Sequence, residues 1–187
     1  VAIADVAHYI EPETLLDEEA RARATSVYLP HAVLPMLPSR LSDNLCSLRA
    51  KVPRLAMAVS MEIENDCTIG NVAAFESIIE VQENLSYEDA LDNPKFQNMM
   101  DLAEELRRNE IRLNLNSAEL RPRVHEDEIT VNVKWPNKAT EMIETFMVAT
   151  NNSIGILLGE KNAPLPWRCH APPDAPEVEE LNAKFKN

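Results

Sequence analysis

Proline spacing restricts one stretch of the chain, Thr25–Leu48, more than any other feature of the sequence. The stretch reads TSVYLPHAVLPMLPSRLSDNLCSL and contains Pro30, Pro35 and Pro38 but no glycine. Each proline fixes its own φ, removes a backbone donor and biases the preceding residue toward extended geometry. The stretch is therefore neither a helix nor an ordinary strand, and we expect Val27–Pro38 to run as a stiff, unpaired ribbon.

Two interpretations of this ribbon stay open. It carries Tyr28 near its start and a polar and thiol cluster near its end, namely Ser42, Asp43, Asn44, Cys46 and Ser47. A rigid segment of this length can line a groove and present those side chains to a ligand. Alternatively, the ribbon is a covering loop whose apolar side chains fill the core: Leu34, Met36, Leu37 and Leu41.

The remaining periodicity permits an α+β fold with mixed, mainly antiparallel sheets and surrounding helices, which the resemblance described below implies. Alternation over residues 1–9 predicts a buried strand, and Thr14 followed by acidic and then basic residues predicts a helix. Alternation within 55–81, interrupted by Asn65 and Asp66, predicts an antiparallel hairpin. A second hairpin is predicted to pair 111–115 with 129–135 around a turn-rich stretch.

Helical periodicity recurs in the second half of the chain. Residues 86–92 predict a short helix, and 94–109 predict an amphipathic helix that packs on the core or, alternatively, binds a partner. The longest predicted helix, 140–158, has an apolar face of Met142, Ile143, Phe146, Met147, Ile154, Leu157 and Leu158. A proline-rich linker, 162–176, then leads to a charged helix.

Glu144 is a polar exception in the longest helix. It lies between Ile143 and Phe146, close to the apolar face. An unpaired carboxylate there is costly and needs a cation, a metal or a hydroxyl partner. The alternative is an ordinary solvated glutamate on a helix surface.

Composition excludes several classes of protein. With 187 residues, 45% of them hydrophobic, the chain suits one globular domain, and its net charge of -13 argues against a surface that holds nucleic acid by charge. Cys46, Cys67 and Cys169 are odd in number and form no CxxC pair, so we expect reduced thiols and an intracellular location. No apolar run approaches about 18 residues, so no membrane span is expected.

Short motifs from distant parts of the chain occur in a recognisable order. They are VAIADVAHYI at 1–10, LDEEARARATSVYLP at 16–30, PMLP and LSDNLCSL in the ribbon, LSYEDAL at 85–91, EMIETFMVATN at 141–151 and RCHAPPD at 168–174. Together they resemble the ribonuclease II family, the RNB domain of processive 3'-to-5' exoribonucleases, which includes ribonucleases II and R and the exosome catalytic subunit. Several unrelated motifs in order are specific, whereas one alone is weak.

The resemblance implies hydrolysis of single-stranded RNA from its 3' end to nucleoside 5'-monophosphates. The family uses two divalent cations, here expected to be Mg²⁺, held by aspartates in a D-x5-D-x-D-D motif. By the family's spacing this motif lies before Val1, so we expect no catalytic residue and no metal ligand within the chain. Asp5 follows the motif and does not replace it.

The family's substrate channel does map onto this sequence. Tyr28 matches a tyrosine that stacks on a base, and Tyr87 matches a tyrosine beside the terminal nucleotides. Glu144 matches the glutamate that, with Tyr87, recognises the ribose, whose 2'-hydroxyl distinguishes RNA from DNA. Leu113 takes the place of a phenylalanine that opposes Tyr28 in the family, although a two-residue shift of that alignment also fits. The ribbon and the longest helix are then opposite walls of an RNA channel.

The resemblance covers nearly the whole chain but only part of an RNB domain, which continues into an arginine-containing helix and a barrel. Its implied partners are single-stranded RNA and a multiprotein RNA-processing complex, with no membrane. An alternative is a catalytically inactive RNB relative that acts as a scaffold or RNA-binding component, which the acidic charge and Leu113 favour. A third interpretation is a generic α/β domain that uses the ribbon to dock a protein.

Overall fold

The hairpin predicted over 55–81 is present and supplies two of the three strands of one sheet. In a computed structural model, which describes residues 1–109, 117–125, 128–167 and 171–185, β4 (Pro53–Ile63) pairs antiparallel with β5 (Ile69–Glu80). The Asp66 carboxylate accepts a hydrogen bond from the backbone N–H of Thr68 at 3.0 Å and so stabilises the predicted turn. With its helices and small antiparallel sheets, the protein has the predicted α+β fold.

The first strand is shorter and more exposed than predicted. β1 (Ala2–Ala4) pairs antiparallel with the other edge of β4, in the order β1–β4–β5. Ala4 lies opposite Ala56, which is buried, whereas Met57 is exposed. Val59, which lies on the same face of β4 as Met57, is buried as well, so β4 has buried residues on both of its faces.

The proline-rich ribbon is not unpaired, which corrects the prediction for this stretch. β2 (Val27–Tyr28) and β3 (Val33–Leu34) pair antiparallel, and the N–H of Leu29 donates to the carbonyl of Ala32 at 2.8 Å. Pro30 lies within the turn, where a ladder N–H is not needed, so the prolines permit this short hairpin. None of the four apolar side chains proposed to fill the core is buried: Leu34 is exposed, and Met36, Leu37 and Leu41 are half-buried.

The end of the first helix is hydrogen-bonded to the base of the ribbon. α1 (Leu15–Arg23) begins after Thr14, whose hydroxyl accepts a hydrogen bond from the N–H of Asp17 at 3.4 Å, as the sequence predicted. Near its end, Arg23 donates to the carbonyl of Pro35 at 3.0 Å. The hydroxyl of Ser26 accepts a hydrogen bond from the N–H of Met36 at 2.9 Å. Both bonds bridge the two sides of the hairpin base.

Three helices lie in the part of the chain that carries Tyr87 and Glu144. They are α2 (Tyr87–Leu91), α3 (Gln97–Arg108), which follows a single 3-10 turn at Pro94–Phe96, and α4 (Lys138–Glu160). All three were predicted. Met100 and Ala103 of α3 pack with Met142 of α4 in one buried cluster, against which Phe96 and Phe146 lie. The amphipathic helix therefore packs on the core, as expected.

The buried face of α4 differs from the predicted one. Thr145 and Thr150 are buried, and Ile143 is exposed. The Thr145 hydroxyl donates to the carbonyl of Glu141 at 2.8 Å, and the Thr150 hydroxyl donates to the carbonyl of Phe146 at 2.7 Å. A threonine whose hydroxyl donates to a carbonyl of its own helix can present its methyl group to the core. A prediction of the buried face from residue polarity therefore left out these threonines.

A second hairpin is present, with a first strand that differs from the predicted one. β6 (Glu119–His125) pairs antiparallel with β7 (Glu128–Lys134) and includes Pro122, opposite Val131. The predicted first strand, 111–115, lies outside the described residues. The region predicted to be a turn contains β6, because proline and charged residues conceal its strand periodicity. Proline is tolerated since both strands of a two-stranded sheet are edges.

One face of this hairpin is apolar and exposed. Residues paired across an antiparallel ladder share a face, and those at alternate positions share it too. The exposed apolar side chains of this face are Leu120, Val124, Ile129, Val131 and Val133. The opposite face carries polar residues, among them Arg121 and Lys134.

The chain divides into two compact units, Val1–Ile154 and Gly155–Asn187. In the second unit, Gly155 and Gly159 lie against the ring of Trp167, and a Cβ at Gly155 would be 3.5 Å from that ring. The predicted last helix, α5 (Ala175–Phe185), is present and exposed. None of the described helices is long and apolar enough to cross a membrane.

Two adjacent methionines on α3 test the position of the core. Met100 is buried and Met99 is exposed. We expect Met100→Ala to lower the free energy of unfolding by about 2–5 kcal/mol, because it leaves a cavity between α3 and α4. Met99→Ala, the matched control, should change it by less than about 1 kcal/mol. Urea unfolding followed by circular dichroism measures both, and equal effects would contradict this packing.

Candidate nucleic-acid interface

Glu144 lies on the surface of α4 and faces a cation from α3. Its Oε2 is 3.6 Å from Nη1 of Arg107, and the Glu144 side chain is 58% exposed. Arg107 also reaches Glu141, one turn earlier on α4, with its Nη2 3.8 Å from Oε1. Glu144 is therefore both solvated and ion-paired, so each of the two interpretations drawn from the sequence describes part of its environment.

A second group of charges continues this face of α3 and α4. Nζ of Lys138 lies 3.2 Å from Oε2 of Glu104, and Arg108 pairs with the same carboxylate. The hydrogen bond from Lys138 and its charge, together with Arg108, lower the pKa of Glu104 below its ordinary value. Glu104 is thus held ionised, and the cations here are already matched by carboxylates.

Tyr87 is the first residue of α2 and is held by the helix start. The Ser86 hydroxyl accepts a hydrogen bond from the N–H of Asp89 at 3.0 Å, and the Asp89 carboxylate accepts one from the N–H of Ser86 at 3.4 Å. This reciprocal cap fixes the backbone beside Tyr87. As a residue, Tyr87 is 40% exposed.

Lys134, at the end of β7, contacts the ring of Tyr87. Its Nζ is 4.8 Å from the ring centroid and 3.7 Å from Oε1 of Glu88. A cation at this distance from an aromatic face is attracted to it. The polar face of the β6–β7 hairpin therefore supports Tyr87, while the opposite, apolar face points away from it.

Tyr28 is the last residue of β2, on the β2–β3 hairpin. The residue is 78% exposed, so its ring is accessible for stacking. Within residues 1–109, all of which the structure describes, no ring contact joins Tyr28 to Tyr87. Lys134 of β7 contacts Tyr87, and Arg107 of α3 pairs with Glu144. Tyr28 lies on a different element, the β2–β3 hairpin. A channel shared by all three residues stays a prediction, and Leu113 lies outside the described residues.

In the polar cluster at the end of the ribbon, Asn44 makes hydrogen bonds that join this segment to β4. The Asn44 side-chain oxygen accepts a hydrogen bond from Arg54 of β4 at 2.8 Å, and its carbonyl accepts another at 3.1 Å. Burial, and then the charge of Asp5, raises the pKa of the Cys46 thiol. A thiol with a raised pKa is a poor nucleophile at neutral pH. Cys46 and Cys67 are both free thiols, and Cys169 lies outside the described residues.

The described residues do not fit a two-cation centre. Across 1–109, 117–125, 128–167 and 171–185, no group of three or more histidine, cysteine, aspartate or glutamate side chains is placed to hold a metal ion. Several converging carboxylates are needed to hold two divalent cations.

Sequence reasoning missed Arg107 and Lys134. Both come from elements other than those of the residues they support, so no local motif marks them. The one available signal for Arg107 is its position beside Leu106, on the buried side of the amphipathic helix. The candidate site thus comprises the exposed ring of Tyr28, the ring of Tyr87 in contact with Lys134, and the carboxylate of Glu144 paired with Arg107.

Known proteins resemble this chain over nearly its full length. A family model described as the RNB domain matches residues 1–187. Ribonuclease R of Mycoplasmopsis pulmonis is 32% identical over 97% of this chain and 27% of its own length. The exosome complex exonuclease RRP44 homolog A of Arabidopsis thaliana is 37% identical over 82% of this chain and 18% of its own length.

Solved structures agree with these relatives. Mycoplasma genitalium RNase R in complex with ribose methylated single-stranded RNA is 28% identical, with a TM-score of 0.89, and the match covers 99% of this chain and 32% of that chain. The chain thus spans about a quarter of the length of the curated ribonucleases R that it matches.

The contact between Lys134 and Tyr87 can be measured by a double-mutant cycle. We expect Lys134→Met and Tyr87→Leu to be coupled by about 0.5–1 kcal/mol in the free energy of unfolding, because each removes one side of the cation–aromatic contact. The control cycle joins Tyr87→Leu with Lys138→Met, since Lys138 pairs with Glu104 instead. Thermal unfolding gives all the values, and a coupling no larger than that of the control would contradict the geometry.

Proposed function

Because the chain belongs to the RNB domain family, we propose that it forms part of the RNA channel of a 3'-to-5' exoribonuclease. The whole protein would hydrolyse single-stranded RNA processively to nucleoside 5'-monophosphates. The observation that carries this proposal is the likeness, over nearly the whole chain, to a ribonuclease R whose structure was determined with ribose methylated single-stranded RNA. The ring of Tyr28 and the carboxylate of Glu144 are both accessible for such a ligand.

In this proposal Tyr28 supplies a stacking surface near the 3' end of the RNA. Every base has a π-face, so stacking on tyrosine tolerates any sequence. Stacking also suits a chain with a net charge of -13, since it needs no lysine or arginine surface. The charge-based attraction to RNA would come from other parts of the protein.

Tyr87 and Glu144 would recognise the sugar of the terminal nucleotides. The Glu144 carboxylate can accept a hydrogen bond from a ribose 2'-hydroxyl, which DNA lacks. Tyr87, fixed by the cap at Ser86 and by Lys134, would lie beside the same nucleotides. These roles come from the family resemblance, and the accessibility of both side chains supports them.

Cleavage in this proposal depends on Mg²⁺ held by aspartates outside this sequence. The chain itself would position RNA and would not activate water. The name of the Arabidopsis relative, an exosome exonuclease, supports work within a multiprotein RNA-processing complex. The free thiols Cys46 and Cys67 support an intracellular location.

An exoribonuclease assay with the protein at its natural length tests this proposal. We expect 5'-labelled single-stranded RNA to shorten from its 3' end, with release of nucleoside 5'-monophosphates, and EDTA to abolish the reaction because the cations are removed. A 3'-phosphorylated RNA and a single-stranded DNA of the same sequence serve as controls. RNA binding without any release of nucleotides would support the inactive, RNA-binding alternative instead.

Stacking by Tyr28 predicts a specific pattern of affinities. We expect Tyr28→Ala to weaken binding of single-stranded RNA by about 1–3 kcal/mol, because it removes the stacking face. Tyr28→Phe should bind normally, since the ring is retained. The dependence of affinity on salt should be the same in the unchanged protein and in both variants, because no phosphate contact changes. Fluorescence anisotropy in EDTA measures the affinities, and an unchanged affinity of Tyr28→Ala would remove Tyr28 from the proposed channel.

A further inference from the structure

Arg107 of α3 binds two carboxylates of α4, and one of them is the proposed ribose ligand. Its guanidinium nitrogens lie 3.6 Å from Glu144 and 3.8 Å from Glu141. We propose that Arg107 is a positioning residue for sugar recognition, because it holds the Glu144 carboxylate in the orientation that accepts the ribose 2'-hydroxyl. This inference rests on the proposed function of Glu144.

The position of Arg107 allows it to restrain another side chain. Only 19% of its side chain is exposed, and its neighbours Ala103 and Leu106 on α3 are buried. The guanidinium is planar, remains charged at every physiological pH and presents its donors in a fixed fork. A cation anchored in this way has a defined position relative to α4.

Glu144, by contrast, needs an external restraint. Its side chain is 58% exposed, so its own packing does little to restrict the rotamer. A carboxylate has two oxygens with several acceptor sites, so a contact with Arg107 does not by itself use all of them. A hydroxyl of fixed position is recognised best by an acceptor of fixed position.

Glu141 makes the arrangement more rigid. Glu141 and Glu144 are three residues apart on α4 and so lie on one helix face. The guanidinium spans the pair, with a different nitrogen nearest to each carboxylate. Because a partly exposed ion pair contributes little to stability, a tether between the helices is a weak reason for this geometry. Orientation of the more exposed carboxylate, that of Glu144, is a sufficient reason for this geometry.

The ratio of affinities for RNA and DNA tests the inference. The protein at its natural length is titrated in EDTA with single-stranded RNA and DNA of one sequence, and fluorescence anisotropy gives both affinities. We expect Arg107→Gln to reduce the RNA-to-DNA ratio by about three- to tenfold, because the acceptor is no longer oriented. Arg107→Lys, which keeps the charge, should recover part of the ratio.

Arg108→Gln is the matched control. It removes the same charge from the adjacent residue, which pairs with Glu104 and not with Glu144. Its RNA-to-DNA ratio should equal that of the unchanged protein. Since the charge of the protein changes equally in both variants, a general electrostatic effect on RNA binding cancels.

The combination with Glu144→Gln separates the outcomes. If Arg107 acts through Glu144, the double variant should have the same ratio as Glu144→Gln alone. If Glu144→Gln lowers the ratio and Arg107→Gln does not, the inference is wrong and the proposed function stands. An equal loss of RNA and DNA affinity in Arg107→Gln would indicate a purely structural tether. If Glu144→Gln leaves the ratio unchanged, the proposed role of Glu144 fails, and the inference fails with it.

Discussion

Packing of α3 against α4 is the constraint on which the candidate site depends. Met100 and Ala103 from one helix and Met142 from the other share a buried cluster, and burial of their apolar surface holds the helices together. Since side chains three and four positions apart lie on one helix face, this core determines what lies just outside it. Arg107 and Glu144 meet at that edge. The geometry of the carboxylate therefore follows from apolar contacts that no ligand touches.

Local signals in the sequence predicted much of the fold. Thr14 before an acidic turn predicted α1, and alternation around Asn65 predicted the β4–β5 hairpin, because both depend on neighbours in sequence. Signals that depend on distant partners failed. The first strand of the second hairpin was placed too early, since Pro122 and charged residues conceal its period. The buried face of α4 was misplaced at Thr145, which satisfies its hydroxyl on its own helix.

The candidate site was predicted only in part, and for a similar reason. Tyr28, Tyr87 and Glu144 were identified by resemblance to a family, since periodicity alone cannot distinguish an exposed tyrosine with a function from one without. Their supports were not identified at all. Arg107 and Lys134 reach Glu144 and Tyr87 from other elements, so only the folded structure brings them together. The proposed positioning of RNA by stacking and by sugar contacts is consistent with these surroundings.

The central claim is that Tyr28, Tyr87 and Glu144 line one path for single-stranded RNA. A crystal structure of the protein at its natural length, with unmodified single-stranded RNA in EDTA, tests it most directly. The account predicts a base stacked on Tyr28 and a ribose 2'-hydroxyl within about 3 Å of the Glu144 carboxylate, with Tyr87 beside the same nucleotides. RNA bound elsewhere, for example along the apolar face of the β6–β7 hairpin, with these three side chains free of contact, would contradict it.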